Sequence, residues 1–265
     1  SDSVTTSLNA KWLLYDFGSS DLQAEALEKT VLATRESLVS IEQNVLLRAV
    51  TAHMNYRRSV EFVSLRSANV ELIEQELRAA QDRFEVGEVT RTDVAQAESR
   101  LSSSKADRIQ SEGDLVRSRA RFLQVVGDMP ETLKPTKTLG GLPASEKEAI
   151  SRARVENPDV IAAKFEELSS KSAIKSAAGA LLPTVDLVGR LRRSDEASSP
   201  TSRSETASIT AQLVVPLYQA GGVSARIRAA KQTHSQRRKE LDAAIRTVIA
   251  SATSAWENYQ TAVAQ

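Results

Sequence analysis

The chain has 265 residues, 35 of them basic and 34 acidic, and no cysteine. Disulfides and thiolate metal sites are therefore excluded, and charges that alternate in sign leave no basic stripe for nucleic acid. Aromatics make up only 4%, a profile of long helices with thin seams rather than of a thick core.

Residues 3–15 alternate, with Val4, Thr6, Leu8, Ala10, Trp12 and Leu14 facing one way and Ser3, Thr5, Ser7, Asn9 and Lys11 the other. Period-two patterning of this length predicts a half-buried strand. It suits a lipid-facing barrel strand with a polar lumen, and equally a soluble sheet with one wet face.

From about Ser19 to Val86 no Pro or Gly interrupts the chain, which predicts one helix on the order of 100 Å long. Tyr56, Val63, Val70, Leu77 and Phe84 recur every seven residues as a coiled-coil seam, with Ile73 and Ala80 beside them. Leu38, Val45 and Ala52 form another such series, offset by a four-residue step that should locally unwind the supercoil. Gly87 is placed to end the helix in the left-handed conformation. Thr90 and Asp93 then offer an N-cap and an acidic N3 for a return helix. That helix carries Val94, Leu101, Leu115 and Phe122 at heptad spacing, with small Ala97, Ser104, Ser111 and Ser118 alongside, and is expected to end at Gly127. Val86 and Val89 are apolar residues displayed at the turn, where exposure favours docking.

Residues 128–147 hold three prolines and two glycines and read as an irregular connector. A short helix is expected around 145–155, and Asn157-Pro158-Asp159 should start another that runs to about Leu182. Alternation resumes over 184–192 and 207–217, separated by a polar loop, 194–204, and residues 220–265 read as a further long helix.

Tyr15-Asp16-Phe17-Gly18 and Tyr218-Gln219-Ala220-Gly221 lie 203 positions apart. On the same offset Asn55-Tyr56 meets Asn258-Tyr259 and Val60 meets Val263, so a strand-plus-helix unit is duplicated. The expected organisation is a first repeat over 1–127, a connector over 128–156, and an incomplete second repeat over 157–265. Because the second copy stops inside its first helix, the chain reads as a piece of a longer protein.

Chemistry-bearing motifs are absent from the sequence. There is no phosphate loop, the lone helical histidines His53 and His234 make poor ligands, and the carboxylates mostly suit i,i+4 pairing. No catalytic residue, metal or cofactor is expected. No run approaches the length of a transmembrane helix, and Ser1-Asp2-Ser3-Val4 does not resemble a signal peptide.

The segment from Arg83 to Ala97 resembles the hairpin-tip signature of TolC-type outer membrane efflux proteins. So do Asn157-Pro158-Asp159-Val160, Leu182-Pro183 before a strand, and Pro216-Leu217-Tyr218-Gln219-Ala220-Gly221-Gly222 before a helix. The resemblance implies a mostly α protein in which long coiled-coil hairpins form an α-barrel and a few strands enter a transmembrane β-barrel. It implies a homotrimer of four strands per protomer, in the outer membrane of a Gram-negative bacterium and reaching into the periplasm. The implied role is a passive exit duct for efflux or type I secretion, partnered by a periplasmic adaptor and an inner-membrane transporter. Val86, Gly87 and Glu88 would dock the adaptor, and Thr92 and Asp93 would help hold the periplasmic entrance closed. Lipid exposure is expected of Leu8, Leu187 and Leu213, and charging them should block membrane assembly. The rival reading is a soluble coiled-coil scaffold or a periplasmic adaptor.

Overall fold

The computed structural model of the chain describes residues 3–130, 133, 140–196 and 203–264. Its elements run β1 (Ser3–Tyr15), α1 (Ser19–Glu85), α2 (Arg91–Val126), α3 (Glu146–Glu156), α4 (Pro158–Gly179), β2 (Thr184–Glu196), β3 (Arg203–Val214) and α5 (Gly222–Ala264). The fold is mostly helical, as expected. Two compact units divide it, one comprising Ser1–Ser40 with Leu142–Gln265, the other Ile41–Gly141.

In the first unit the strands form one antiparallel sheet in the order β1-β2-β3. Two of them depart from the expected lengths. β2 runs on to Glu196 and β3 begins at Arg203 and stops at Val214, so residues 194–196 and 203–204 are strand rather than loop. A ladder needs backbone groups, not apolar side chains, and the Arg192–Ser194 stretch pairs with Ser204–Thr206 without a break. Pro216, which lacks an N–H, follows the end of β3. Residues 197–202 of the expected loop lie outside the described residues.

The helices of this unit pack through small side chains. Ala162, Ser170, Ser172 and Gly179 of α4 are buried, with Ala33 of α1 and Val223 and Val248 of α5. Ser169 donates to the Ala26 carbonyl at 2.8 Å and Ser172 to Glu25 Oε1 at 3.0 Å. Asn157 caps α4 by accepting from the Asp159 N–H at 2.9 Å, with Pro158 in the first turn. The helix ends at Gly179, earlier than expected, where a Cβ would stand 2.6 Å from Ser19 Oγ. Close approach to α1 therefore requires the bare glycine.

The second unit is the expected hairpin. Val70, Ser104 and Phe122 are buried along its seam, and Phe122 meets the rings of Tyr56 and His53 at 5.8 and 6.2 Å. Lys105–Glu74 at 3.0 Å and Arg66–Asp107 at 3.4 Å flank it. The second apolar series is covered only in part. Ala52 is buried, whereas Val45, and Leu38 in the stretch of α1 that belongs to the first unit, are more than half exposed.

The duplicated motif has one backbone form. Phe17 and Ala220 both adopt positive φ, 56° and 47°, each followed by a left-handed glycine. Ser19 N–H bonds to the Asp16 carbonyl at 3.2 Å and Gly222 N–H to that of Gln219 at 2.9 Å. The same left-handed turn thus converts a strand into a helix at both places.

Candidate functional site

Two features carry functional geometry: a two-faced sheet in the first unit and a capped turn in the second. In an antiparallel ladder directly opposed residues share a face, so the register sorts the side chains. One face is built from the rows Leu8–Leu191–Ala207, Ala10–Gly189–Ile209, Trp12–Leu187–Ala211 and Tyr15–Val185–Leu213. This apolar band extends about 20 Å along the strands, of the same order as the ~25 Å lipid-facing band of membrane barrels. Most of it lies open, with Leu8 at 67% and Ile209 at 80% exposure. Beyond it comes the row Thr6–Arg193–Glu205, whose charges pair at 3.9 Å.

The opposite face is polar, with rows such as Ser7–Arg192–Thr206 and Asn9–Arg190–Ser208. Lys11 Nζ lies 2.9 Å from Asp186, and Arg190 Nε donates to Asn9 Oδ1 at 2.9 Å. The alternation thus holds over most of the sheet, although Leu13 and Val188 fall on the polar face, and it breaks at a point that the sequence conceals. A register shift between Leu13 and Tyr15 sets Tyr15 opposite Val185, which brings Tyr15 into the apolar face near Trp12. Tyr218, after β3, is almost fully exposed.

The α1–α2 turn follows its expected chemistry. Gly87 takes φ 79°, and Glu88 N–H bonds to the Arg83 carbonyl at 2.9 Å and Gly87 N–H to that of Phe84 at 3.0 Å, a complete Schellman closure of α1. Asp93 reaches back from the third position of α2, and its Oδ2 accepts both the Thr90 N–H and hydroxyl at 2.8 Å. These bonds, the backbone one first, lower its pKa below the ordinary carboxylate value. Asp93 also borders a hollow of about 230 Å³ lined by Glu76, Gln96 and Arg100 among others. Val86 is 72% exposed, and Gly87, Glu88 and Thr92 are exposed, but Val89 is half-buried. The apolar display at the tip therefore rests on Val86, because Val89 turns into the hairpin.

Elsewhere His234 Nδ1 lies 3.1 Å from Ser170 Oγ and its Nε2 lies 3.5 Å from Glu167, joining α5 to α4. Ser170 also donates to the Glu167 carbonyl at 2.6 Å, so the trio acts as an interhelical clasp. The sequence read His234 as an isolated helical histidine, since partners 64 positions away leave no local signal.

Among the described residues no His, Asp or Glu grouping could hold a metal. No helix among them is long and apolar enough to cross a membrane, a statement that does not bear on the strands.

Comparison with known proteins decides between a soluble sheet and a membrane one. The family model for outer membrane efflux proteins matches residues 1–128 and 149–265. The chain belongs to this family. It is 34% identical over 259 residues to the outer membrane efflux protein BepC of Brucella suis, covering 97% of this chain and 57% of that relative. To the outer membrane protein TolC of Vibrio cholerae it is 24% identical over 258 residues, covering 94% of this chain and 59% of TolC. Among solved structures, that of CusC superposes with a TM-score of 0.81 at 19% identity, covering 98% of this chain and 62% of CusC. The chain thus spans somewhat under two thirds of these relatives, with the fold of outer membrane channels that join an α-barrel to a β-barrel. As an outer membrane efflux protein it resides in the Gram-negative outer membrane and extends into the periplasm. The soluble reading of the sheet is set aside by this family membership.

Proposed function

We propose that the protein containing this chain is the passive exit duct of a tripartite efflux or type I secretion system. The observation that carries this reading is the sheet itself, whose open apolar face and hydrogen-bonded polar face suit a wall between lipid and a water-filled lumen. Three protomers would close the barrel. Both edges of the three-stranded sheet lack a partner strand within the described residues, and exposed edges call for pairing. The exposed Leu38 and Val45 support burial against further helices of the assembly. The sequence-level repeats, 1–127 and 157–265 joined by 128–156, remain our organisation, supported by the duplicated left-handed turn.

In this scheme the tip residues Val86, Gly87 and Glu88 dock a periplasmic adaptor that bridges to an inner-membrane transporter. The support is the exposure of Val86 on a turn fixed by its own Schellman bonds, since a preorganised surface binds with less ordering cost. Thr92 and Asp93 serve the closed entrance. Both Thr90 donors fall on Asp93 Oδ2, leaving Oδ1 for a contact beyond this chain. The duct itself needs no cofactor and catalyses no reaction, because energy enters at the transporter.

The test is single-channel recording of the full-length protein in a planar bilayer, with its oligomeric state measured in detergent. A stable trimer with low, rarely opening conductance supports the duct, and Asp93→Ala should then raise the open fraction. Well-folded protein that neither inserts nor conducts would refute it. Cross-linking to a purified adaptor should weaken on Val86→Asp; an unchanged yield would remove the tip from the docking surface.

A further inference from the structure

The polar face of the sheet carries a charge asymmetry that the duct reading does not require. Lys11 and Asp186 neutralise one another at 2.9 Å, with Asp186 only 3% exposed. On the apolar face the exposed Arg193 likewise has Glu205 opposite it. Arg190 and Arg192 are different. Arg190 is held by the neutral amide oxygen of Asn9 at 2.9 Å. Its directly opposed and diagonal neighbours on the polar face are Asn9, Ser7, Lys11, Ser208, Thr206 and Thr210. Arg192 stands between Ser7 and Thr206, with Thr5, Asn9, Ser204 and Ser208 diagonal to it. No carboxylate occupies any of these positions, so the Asn9 amide orients the Arg190 guanidinium without cancelling its charge, and the register sets no opposite charge beside Arg192 on this face.

We propose that Arg190 and Arg192 make this stretch of the barrel lumen a binding and selectivity site for anionic solutes bearing carboxylate or phosphate groups. The inference rests on the duct reading, which makes the polar face a lumen. The two residues lie about 7 Å apart along β2, within the ~8 Å over which physiological salt screens a charge. An anion passing one therefore feels both. In a threefold barrel they form two adjacent rings of three guanidinium groups. Low-dielectric walls focus the field of such rings into the water they enclose. A guanidinium fork also matches carboxylate and phosphate geometry in two parallel hydrogen bonds, so the rings would hold such groups and not merely repel cations. Their location is in the part of the sheet away from the strand–helix junctions, since Arg190 and Arg192 pair with Asn9 and Ser7 while the helices attach beyond Tyr15, Thr184 and Val214. Anionic solutes would meet this site after passing the helical part of the duct.

The experiment compares full-length wild type, Arg190→Gln/Arg192→Gln and Arg193→Gln in planar bilayers under a potassium chloride gradient. Inositol hexakisphosphate is then added to the side away from the helices. We expect the double variant to lower the anion-to-cation permeability ratio about twofold or more and to raise the half-blocking concentration about tenfold. Arg193→Gln, on the lipid face, should leave both unchanged. If the double variant does not insert, Arg192→Gln alone carries the test, because it leaves the Arg190–Asn9 bond between the strands in place. The charge-preserving Arg190→Lys/Arg192→Lys should retain most of the anion preference. A conducting double variant, or a conducting Arg192→Gln where that carries the test, with wild-type permeability ratio and block would overturn the lumen site while leaving the duct intact. An equal effect from Arg193→Gln would overturn the assignment of faces. Absence of any conductance from folded wild type would overturn the duct, and this inference with it.

Discussion

Adjacent residues in the second left-handed turn should respond to glycine and alanine with opposite signs. Ala220 sits at φ 47° and Gly221 at φ 78°. A non-glycine residue held in this region costs roughly 1–2 kcal/mol. Ala220→Gly removes that strain, against about 0.4–1 kcal/mol of added unfolded-state freedom, for a net local stabilisation of about 0.5–1 kcal/mol. Gly221→Ala does the reverse. A Cβ there would meet nothing within 4 Å, so the loss of about 0.5–1 kcal/mol comes from the backbone alone. The two variants should differ by about 1–2 kcal/mol, on the order of tenfold in local opening. Hydrogen exchange at the Gly222 and Ala225 amides, which bond to Gln219 and Gly221 at 2.9 and 3.0 Å, reads that opening directly. In the first turn Phe17→Gly should be close to neutral, because relief of strain is offset by losing the Tyr15–Phe17 ring contact at 4.7 Å. If Ala220→Gly and Gly221→Ala changed protection in the same direction, the strain argument would be wrong.

Other expectations concern the tip, the α4–α1 approach and the membrane face. Asp93 has a lowered pKa, so its capping contribution is complete above the ordinary carboxylate pKa of about 4. It is lost as pH falls through the lowered value. Exchange protection of the tip should therefore be flat from neutral pH to about 5, then drop on further acidification, and Asp93→Asn should abolish that acid step. Gly179→Ala would drive a Cβ against Ser19, at 2.6 Å from Oγ and 3.0 Å from Cβ, and should cost about 1–3 kcal/mol; an unchanged denaturation midpoint would show that the helices part freely. Charging the apolar band should hurt in proportion to depth. Ile209→Arg, in a middle row, should cost about 2–4 kcal/mol of insertion, whereas Leu213→Arg, which the sequence alone predicts to block assembly, lies in the row nearest the helices and should cost only about 0–1. Equal membrane yields for the two variants would count against the register.

Leu213 illustrates how far the sequence could be read. Alternation placed it correctly on the apolar face, but depth follows from the ladder, and a strand pattern carries no register by itself. The same limit explains Tyr15. Two-residue periodicity assumes an unbroken ladder, so the shift beside Leu13 was invisible until β2 was laid against β1. Strand ends failed for another reason. Residues 194–196 read as loop because they are polar, yet they belong to β2, and on a wall between lipid and lumen polar residues are what one face and the rim require. The tip was the most legible part, since Gly87, Thr90 and Asp93 act through bonds of short sequence separation. The His234 clasp was the least legible, because its partners come from another helix.

The two turns also show where a duplicated unit is free to diverge. Their backbone course is shared, down to paired positive φ values and the i→i+3 bond, because a left-handed pair turns the strand into the helix at both places. Their side-chain support differs. In the first copy Asp16 accepts from the Gly18 N–H at 3.2 Å and the Ser20 N–H at 2.6 Å, and the Ser20 hydroxyl adds the bond that lowers the Asp16 pKa most. Phe17 packs on Tyr15 above it. The second copy has Gln219 and Ala220 at those positions, and Tyr218 is 87% exposed. The first turn is thus held by its own neighbours, whereas the aromatic residue of the second finds no cover among the described residues. Tyr218→Ala should consequently leave the local exchange protection of the second turn unchanged while weakening assembly of the full-length protein in the membrane. The converse result, a loosened turn with normal assembly, would place the role of Tyr218 within its own chain.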